Sequence, residues 1–219
     1  MNAPQILDRE LERIPKDVVF LSSASDPYQP VEARFKITRR CLEVLLRHDF
    51  PVTILTRSPL VLRDLDSLRR FRWMRVGFSI SSVSDRFYEP GVVPLRTRLE
   101  TLRKLHDYGI TTWVSLAPII PKLILLNDMK WLFKELRDAG VSAVSVGLLR
   151  FIGYEESRMM FEQKSGLSAS EVMAGGNEVH QEVSRLARYY GLDGCDSVLG
   201  WRDKVEEKRK CTLDNFLNH

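Results

Sequence analysis

Cysteine is scarce in this sequence. Three cysteines occur in 219 residues, Cys41, Cys195 and Cys211, and their wide spacing matches neither a disulfide framework nor a close pair of metal ligands. An odd number of scattered cysteines is typical of a protein kept in a reducing compartment, so we expect a cytoplasmic location.

Long apolar runs are also missing. No stretch approaches the roughly 20 apolar residues needed to cross a bilayer, and the amino-terminal residues lack a basic segment followed by an apolar one. We therefore expect neither a membrane span nor a signal peptide. The formal net charge of +4 permits a nucleic-acid partner but does not indicate one.

Histidine pairs suited to acid–base or nucleophilic catalysis are not indicated. His48 and His106 fall late in predicted helices, where a positive charge is favoured, while His180 lies within a helix and His219 is the last residue. No Gly-x-Gly-x-x-Gly follows a predicted strand, so the sequence lacks the signature of a dinucleotide-binding fold. The sequence alone indicates no catalytic residue and no metal ligand.

What the sequence does contain is a regular alternation of buried strands and amphipathic helices. This alternation predicts an α/β protein with a parallel sheet and right-handed crossovers, either part of a barrel or an open doubly wound sheet. Strands are predicted at residues 18–22, 50–56, 74–80, 110–117 and 141–146. Helices are predicted at residues 4–13, 31–47, 61–68, 94–108, 128–139, 154–163 and 170–190.

Polar residues collect after the strands, where parallel α/β folds place their sites. Hydroxyl and amide groups suit a ligand with ribose hydroxyls and an amino-acid head group, and Arg57 or Arg150 can hold a carboxylate in a bidentate manner. The candidate site residues are Ser22, Ser23, Asp26, Tyr28, Gln29, Arg57, Ser58, Ser79, Ser81, Pro118, Ile120 and Arg150.

Each of these residues also has a simpler interpretation. A serine after a strand is more often a turn residue or a helix cap than a ligand contact. Asp26 followed by Pro27 is a common turn initiator, and Arg57 alone would suit an exposed surface. Convergence at one edge of the sheet is what separates the two interpretations.

An ordered series of short motifs resembles a known family. These are Ser-Asp-Pro-Tyr-Gln-Pro-Val-Glu at residues 25–32, Ile-Leu-Thr-Arg-Ser-Pro at 54–59, Phe-Ser-Ile-Ser-Ser at 78–82 and Ala-Pro-Ile-Ile-Pro at 117–121. In this order they resemble radical S-adenosylmethionine (radical SAM) proteins of the spore photoproduct lyase-like, or DNA repair photolyase-like, group. The resemblance extends from about residue 2 to residue 151.

The resemblance implies a partial (β/α) barrel of the TIM type. Five of the family's six units are recognised and the first is missing, so residues 1–151 would form the barrel core and residues 152–219 a helical extension. It also implies that the loop at residues 22–29 meets the amino group of S-adenosylmethionine and that Arg57 meets its carboxylate. Ser79 and Ser81 would contact the ribose, and the backbone from Pro118 to Ile120 would border the adenine.

The main departure from the family concerns the 4Fe–4S cluster that the resemblance implies. The family holds the cluster with a Cys-x-x-x-Cys-x-x-Cys motif, and this sequence has no such motif. One hypothesis is a radical SAM protein that cleaves S-adenosylmethionine reductively, with lyase-like DNA-lesion chemistry, and takes its cluster motif from another chain or segment. The alternatives are a cluster-free module that binds S-adenosylmethionine or a nucleotide, and an interaction module without catalysis.

Overall fold

The computed structural model describes residues 2–22, 25–81, 83, 92–121, 125–149 and 155–192. Ser23, Arg150, Cys195 and Cys211 therefore lie outside the described residues. Across the described residues the chain runs α1 (Ala3–Leu11), β1 (Val19–Leu21), α2 (Glu32–Phe35), α3 (Ile37–Arg47), β2 (Val52–Thr56), a 3-10 helix (Pro59–Asp64), α4 (Leu65–Leu68), β3 (Met74–Ser79), α5 (Leu95–Asp107), β4 (Thr111–Ile119), α6 (Leu126–Asp138), β5 (Ala143–Leu148), α7 (Glu155–Ser165), α8 (Ala169–Met173) and α9 (Gly176–Tyr189).

The strands form one parallel sheet in the order β1-β2-β3-β4-β5. Sequential order with helical crossovers is the arrangement of consecutive units in a barrel, whereas a doubly wound sheet reverses its strand order. The predicted α/β fold with parallel strands is confirmed, and the sheet is consistent with a partial barrel.

Side chains on one face of the sheet form the main apolar core with the helices. Ile54, Val76, Val114 and Val144 are completely buried on this face; Ile54 of β2 pairs with Val76 of β3, and Val114 of β4 pairs with Val144 of β5. Burial of such side chains contributes about 1.5–3 kcal/mol each to folding.

The opposite face of the sheet carries different chemistry. Leu55, Gly77, Trp113 and Ala143 form one row across four strands, and the indole of Trp113 lies directly over Gly77, where an added Cβ would be 2.2 Å from it. Arg75 lies beneath, its guanidinium 4.9 Å from the centre of the indole. This layer fills the lower part of the face and leaves the carboxyl ends of the strands to smaller, polar residues.

The helix predicted over residues 31–47 is broken. Lys36 adopts a left-handed conformation with φ of 51°, and the carboxylate of Glu32 accepts a hydrogen bond of 2.8 Å from the backbone N–H of Ile37. The break changes the helical phase, and the apolar side chain of Phe35, the last residue of α2, is 38% exposed. A side chain that hydrogen-bonds to the start of the next helix competes with continuation of the first.

The helix predicted over residues 170–190 is also broken, at Gly175 with φ of 73°. Its second part, α9, packs on α6 and β5, and its Val183 and Ala187 belong to the main core. The predicted boundary after residue 151 therefore separates elements that share a core, and the division into two domains stays a prediction. None of the described helices is long and apolar enough to cross a bilayer.

Candidate functional site at the carboxyl ends of the strands

A cleft of about 220 Å³ lies at the carboxyl ends of the first three strands. Its residues come from three successive strand–loop units, which the parallel sheet brings to the same edge. It is lined by Ser22, Ser25, Asp26, Leu55, Thr56, Arg57 and Ser79.

Asp26 organises this cleft. One carboxylate oxygen, Oδ1, accepts hydrogen bonds from the Thr56 hydroxyl at 2.7 Å and the Tyr28 backbone N–H at 2.8 Å. The other oxygen, Oδ2, accepts from the Arg57 backbone N–H at 2.8 Å. Asp26 therefore ties the loop after β1 to the end of β2 and caps no helix. Because a carboxylate has about four acceptor positions, Oδ2 keeps capacity for a ligand donor.

The cleft places charges of both signs against hydroxyl groups. Arg57 and Asp26 both line it, together with the hydroxyl-bearing Ser79. A guanidinium binds a carboxylate and a carboxylate binds an ammonium group, which together are the two ends of an amino-acid head group. The lining therefore offers partners for the two charged groups of an amino acid and for a neighbouring hydroxyl group.

The end of β3 is held from behind by a buried cation. Arg98 of α5 is 1% exposed, and its Nη1 donates a hydrogen bond of 2.8 Å to the carbonyl of Ser79. On the open face of the sheet, Ser79 pairs with Ser115 of β4, which pairs with Ser145 of β5. A row of three hydroxyl-bearing residues thus crosses the sheet level with the cleft.

Ser22 has an unusual backbone. It lines the cleft and has φ of 109°, a conformation that costs a residue with a side chain roughly 1–3 kcal/mol. This backbone conformation occurs at the end of β1, directly before the loop that carries Asp26.

A charged network also joins the segments that follow β1 and β2. Arg63 donates to Glu32 at 2.9 Å and to Asp64 at 2.8 Å, and Arg39 donates to Asp64 at 3.0 Å and to Asp66 at 2.6 Å. The Arg39 hydrogen bond lowers the pKa of Asp66. Because Asp64 is fully buried between two cations, this network is a fixed part of the loop structure.

Four predicted site residues are placed away from this cleft or only at its margin. Tyr28 is fully buried beside Asp64, and burial followed by the negative charge of Asp64 raises its pKa well above the usual range. Gln29 is exposed, and its carbonyl accepts from the backbone N–H of Glu32 at 2.8 Å. Ser58 caps the 3-10 helix by accepting from the Leu60 N–H. Ser81 is half-buried beyond the end of β3.

Pro118 and Ile120 lie at the end of β4, away from the first cleft. The bond between Ala117 and Pro118 is a cis peptide, and Ile120 is buried. Their neighbours Ile119 and Pro121 line a second cleft, of about 420 Å³, which extends to β5 and the start of α9.

The predicted residues that the structure brings together are Ser22, Asp26, Arg57 and Ser79. Ser25 and Thr56 line the same cleft and lie where contacts were expected, in the loop at residues 22–29 and at the carboxyl end of the second strand, whereas Leu55 was not among the predicted contacts. Strand alternation contained a signal for Leu55, because it lies two residues before Arg57 and shares its face. Within the described part of the chain no cluster of three or more histidine, cysteine or acidic residues could hold a metal ion.

Comparison with known proteins identifies the family of this chain. The model of the Radical SAM superfamily matches residues 4–124. An uncharacterized protein of Methanocaldococcus jannaschii is 34% identical over 123 residues, covering 55% of this chain and 46% of that protein. The Radical SAM Nalpha-GlyT isomerase of Pseudomonas phage M6 is 25% identical over 147 residues, covering 66% of this chain and 30% of the isomerase.

A solved structure has the same fold. Spore photoproduct lyase complexed with dinucleoside spore photoproduct superposes with a TM-score of 0.61 at 19% identity, covering 86% of this chain and 61% of the lyase. This chain spans about half the length, or less, of the curated relatives named above. Because the family model covers more than half of the sequence, the chain belongs to the radical SAM superfamily.

Proposed function

We propose that the first cleft binds S-adenosylmethionine. The observation that carries this proposal is the meeting of Asp26, Arg57 and Ser79 from three separate strand–loop units in one cleft. Arg57 would hold the carboxylate, Asp26 would accept from the ammonium group, and Ser79 would face the ribose hydroxyls. These residues suit the ligand because its charged end is an amino-acid head group.

The residues of this chain do not suit a 4Fe–4S cluster. Such clusters are held by cysteine thiolates, and Cys41, the described cysteine, is half-buried within α3 rather than at the rim of the sheet. Burial, followed by the nearby charge of Glu32, raises the pKa of the Cys41 thiol and so disfavours the thiolate. The remaining two cysteines could not supply three ligands even together.

The chain's own role in the proposal is therefore to bind and orient S-adenosylmethionine. Reductive cleavage of that molecule needs an electron donor, and we propose that the cluster ligands come from a chain or segment outside these 219 residues. Lyase-like chemistry on a DNA lesion is the narrower form of this proposal. It is supported by the fold shared with spore photoproduct lyase, and it would make a nucleic acid a partner.

A second candidate function is a module that binds S-adenosylmethionine or a nucleotide without radical chemistry. The lack of a Cys-x-x-x-Cys-x-x-Cys motif favours this candidate. The two candidates share the first cleft and differ in whether iron and sulfide are present in the working protein.

Isothermal titration with S-adenosylmethionine tests the shared part. Replacing Arg57 by alanine removes a charge-assisted contact, which we expect to weaken binding by about 1.5–3 kcal/mol, or roughly 10- to 150-fold. Arg96→Ala is the matched control, because Arg96 lies on an exposed part of α5 and pairs with Glu100 at 3.1 Å. Equal affinities for Arg57→Ala and the unmodified chain would reject the site.

Iron and acid-labile sulfide analysis after anaerobic reconstitution separates the two candidates. The chain alone should acquire no visible iron–sulfur chromophore. A chromophore that forms only with a polypeptide carrying the Cys-x-x-x-Cys-x-x-Cys segment would support the radical enzyme, and binding of S-adenosylmethionine without one would support the cluster-free module. A chromophore in the chain alone, lost on replacing its cysteines, would show that the cluster assignment is wrong.

A further inference from the structure

The amino-terminal ends of β3 and β4 carry basic and aromatic side chains that the proposed function does not use. Residues 69–73, with the sequence Arg-Arg-Phe-Arg-Trp, come directly before β3. Tyr108 comes shortly before β4, which begins at Thr111. Because β3 and β4 are parallel neighbours, both segments lie at the same edge of the sheet. This edge is opposite to the one that carries the first cleft, and the six residues of β3 separate the two edges by roughly 20 Å.

A contact between side chains joins the two segments. The guanidinium of Arg69 lies 6.0 Å from the centre of the Tyr108 ring, which is within the range of a cation–π interaction. Arg69, Arg70 and Arg72 are exposed, and so is half of Tyr108. The guanidinium of Arg72 lies 5.7 Å from the centre of the Trp73 ring. We call the surface formed by Arg69, Arg70, Arg72 and Tyr108 the basic patch.

Positive charge dominates the basic patch. Its sequence neighbours are known, because residues 25–81 and 92–121 are all described. Lys104 adds an exposed cation on the last turn of α5. Neither Arg69 nor Arg70 forms an ion pair with any described residue. These two guanidinium groups therefore keep their hydrogen-bond donors for a ligand.

Acidic residues offset little of this charge. Asp66 lies just before Arg69, but its carboxylate is already paired with a cation at 2.6 Å. Asp49, which comes before β2, is likewise paired at 3.4 Å. Asp107 directly precedes Tyr108 and is exposed. The basic patch is therefore a cationic surface with an exposed aromatic ring within it.

We propose that the basic patch binds single-stranded nucleic acid, with Arg69 and Arg70 on the phosphates and Tyr108 stacked on a base. Guanidinium groups bind phosphates, and proteins that bind single strands combine a cationic surface with aromatic rings on which bases stack. A duplex keeps its bases stacked on one another, and an acidic protein surface would use the charges without the ring. This proposal does not rest on the binding of S-adenosylmethionine in the first cleft.

Fluorescence anisotropy with the full chain tests the proposal. The probe is a fluorescein-labelled oligothymidylate of twelve nucleotides in about 50 mM salt, a concentration at which phosphate contacts are strong. The single strand should bind more tightly than a duplex of the same length, and its affinity should fall as salt is raised. Unlabelled poly-L-glutamate, a polyanion without bases, should displace the probe poorly.

Paired variants assign the phosphate contacts. Arg69→Gln combined with Arg70→Gln should weaken binding and reduce the slope of log affinity against log salt by about 1.4, because each phosphate contact to a single strand contributes about 0.7. Arg69→Lys combined with Arg70→Lys keeps the charge and should keep the slope. Arg9→Gln combined with Arg13→Gln is the matched control, because it removes the same charge from exposed positions in and just after α1 and should leave the slope unchanged.

Two variants of Tyr108 assign the stacking contact. Tyr108→Ala should weaken binding of the single strand about fivefold or more, whereas Tyr108→Phe keeps the ring and should keep the affinity. Titration with S-adenosylmethionine should give the same affinity for Arg69→Gln combined with Arg70→Gln as for the unmodified chain. The results at the two edges of the sheet are therefore independent of each other.

Four results would each overturn the proposal. These are no binding of the oligothymidylate at about 50 mM salt, a duplex or poly-L-glutamate that binds as tightly as the single strand, equal salt slopes for the glutamine pair in the basic patch and the control pair, and equal affinities for Tyr108→Ala and Tyr108→Phe.

Discussion

Replacing Asp26 by asparagine should loosen the link between the loop after β1 and the end of β2. In the native chain, the Asp26 carboxylate accepts from the Thr56 hydroxyl and from the backbone N–H groups of Tyr28 and Arg57. Asparagine keeps one acceptor oxygen for the first two donors but turns an N–H group toward the N–H of Arg57. One charge-assisted hydrogen bond is therefore lost and two donors face each other.

The expected loss of unfolding free energy follows from the one hydrogen bond between Asp26 and the backbone N–H of Arg57. A hydrogen bond to a charged group contributes about 1.5–3 kcal/mol, and partial exposure of Asp26 reduces the expected loss of unfolding free energy to about 1–2 kcal/mol. Urea denaturation measures it, with an expected fall of roughly 0.5 M in the midpoint and no change in slope. Asp107→Asn is the matched control, because this aspartate is exposed at the end of α5.

A double-mutant cycle between Asp26→Ala and Thr56→Val isolates the contact. Residues joined by a hydrogen bond couple by about 0.5–3 kcal/mol, whereas independent residues add to within roughly 0.5 kcal/mol. Strict additivity, or an Asp26→Asn variant as stable as Asp107→Asn, would refute the assignment of Asp26 as the organiser of the cleft.

Two other predictions concern the sheet and the cysteine. Gly77→Ala should destabilise the protein by about 1–3 kcal/mol or more, since the added Cβ would lie 2.2 Å from the Trp113 ring. Gly147→Ala is the control and should destabilise the protein less, because the closest contact of its added Cβ would be 3.0 Å. Equal melting temperatures of the two variants would contradict the packing of Trp113 on Gly77. Cys41 should react with iodoacetamide more slowly in the native chain than in urea near neutral pH, because burial raises the pKa of its thiol. Peptide mapping measures the rate of Cys41 modification under both conditions. Equal rates would contradict the burial of Cys41.

The order of elements could be predicted because the strands are short apolar runs and the helices have an apolar face. The breaks could not be predicted from that pattern. Lys36 ends a helix because Glu32, four residues earlier, hydrogen-bonds to the next helix start, and hydrophobic periodicity contains no information about that bond. Glycine at position 175 was a signal for the second break, because a left-handed residue ends a helix.

The candidate site was predicted in part. Asp26, Arg57 and Ser79 meet because a parallel sheet brings strand ends together, a property that follows from the fold. Tyr28 shares its loop with Asp26, but its side chain is buried in the core. The backbone conformation of a loop determines which of its side chains face inward, and the sequence pattern does not indicate that conformation. Ile119 of the second cleft lies in the predicted stretch from Pro118 to Ile120, but the wall that α9 contributes could not be expected, because it depends on how α9 packs on the end of β5.

The charged network of Arg39, Arg63, Glu32 and Asp64 determines how the rim can open. The loops after β1 and β2 are joined twice, by this network and by Asp26. Local opening of a protein occurs in cooperative units, and we expect two loops joined by two sets of contacts to belong to one such unit. A ligand that stabilises either loop therefore protects both, and release of that ligand requires the two loops to move together.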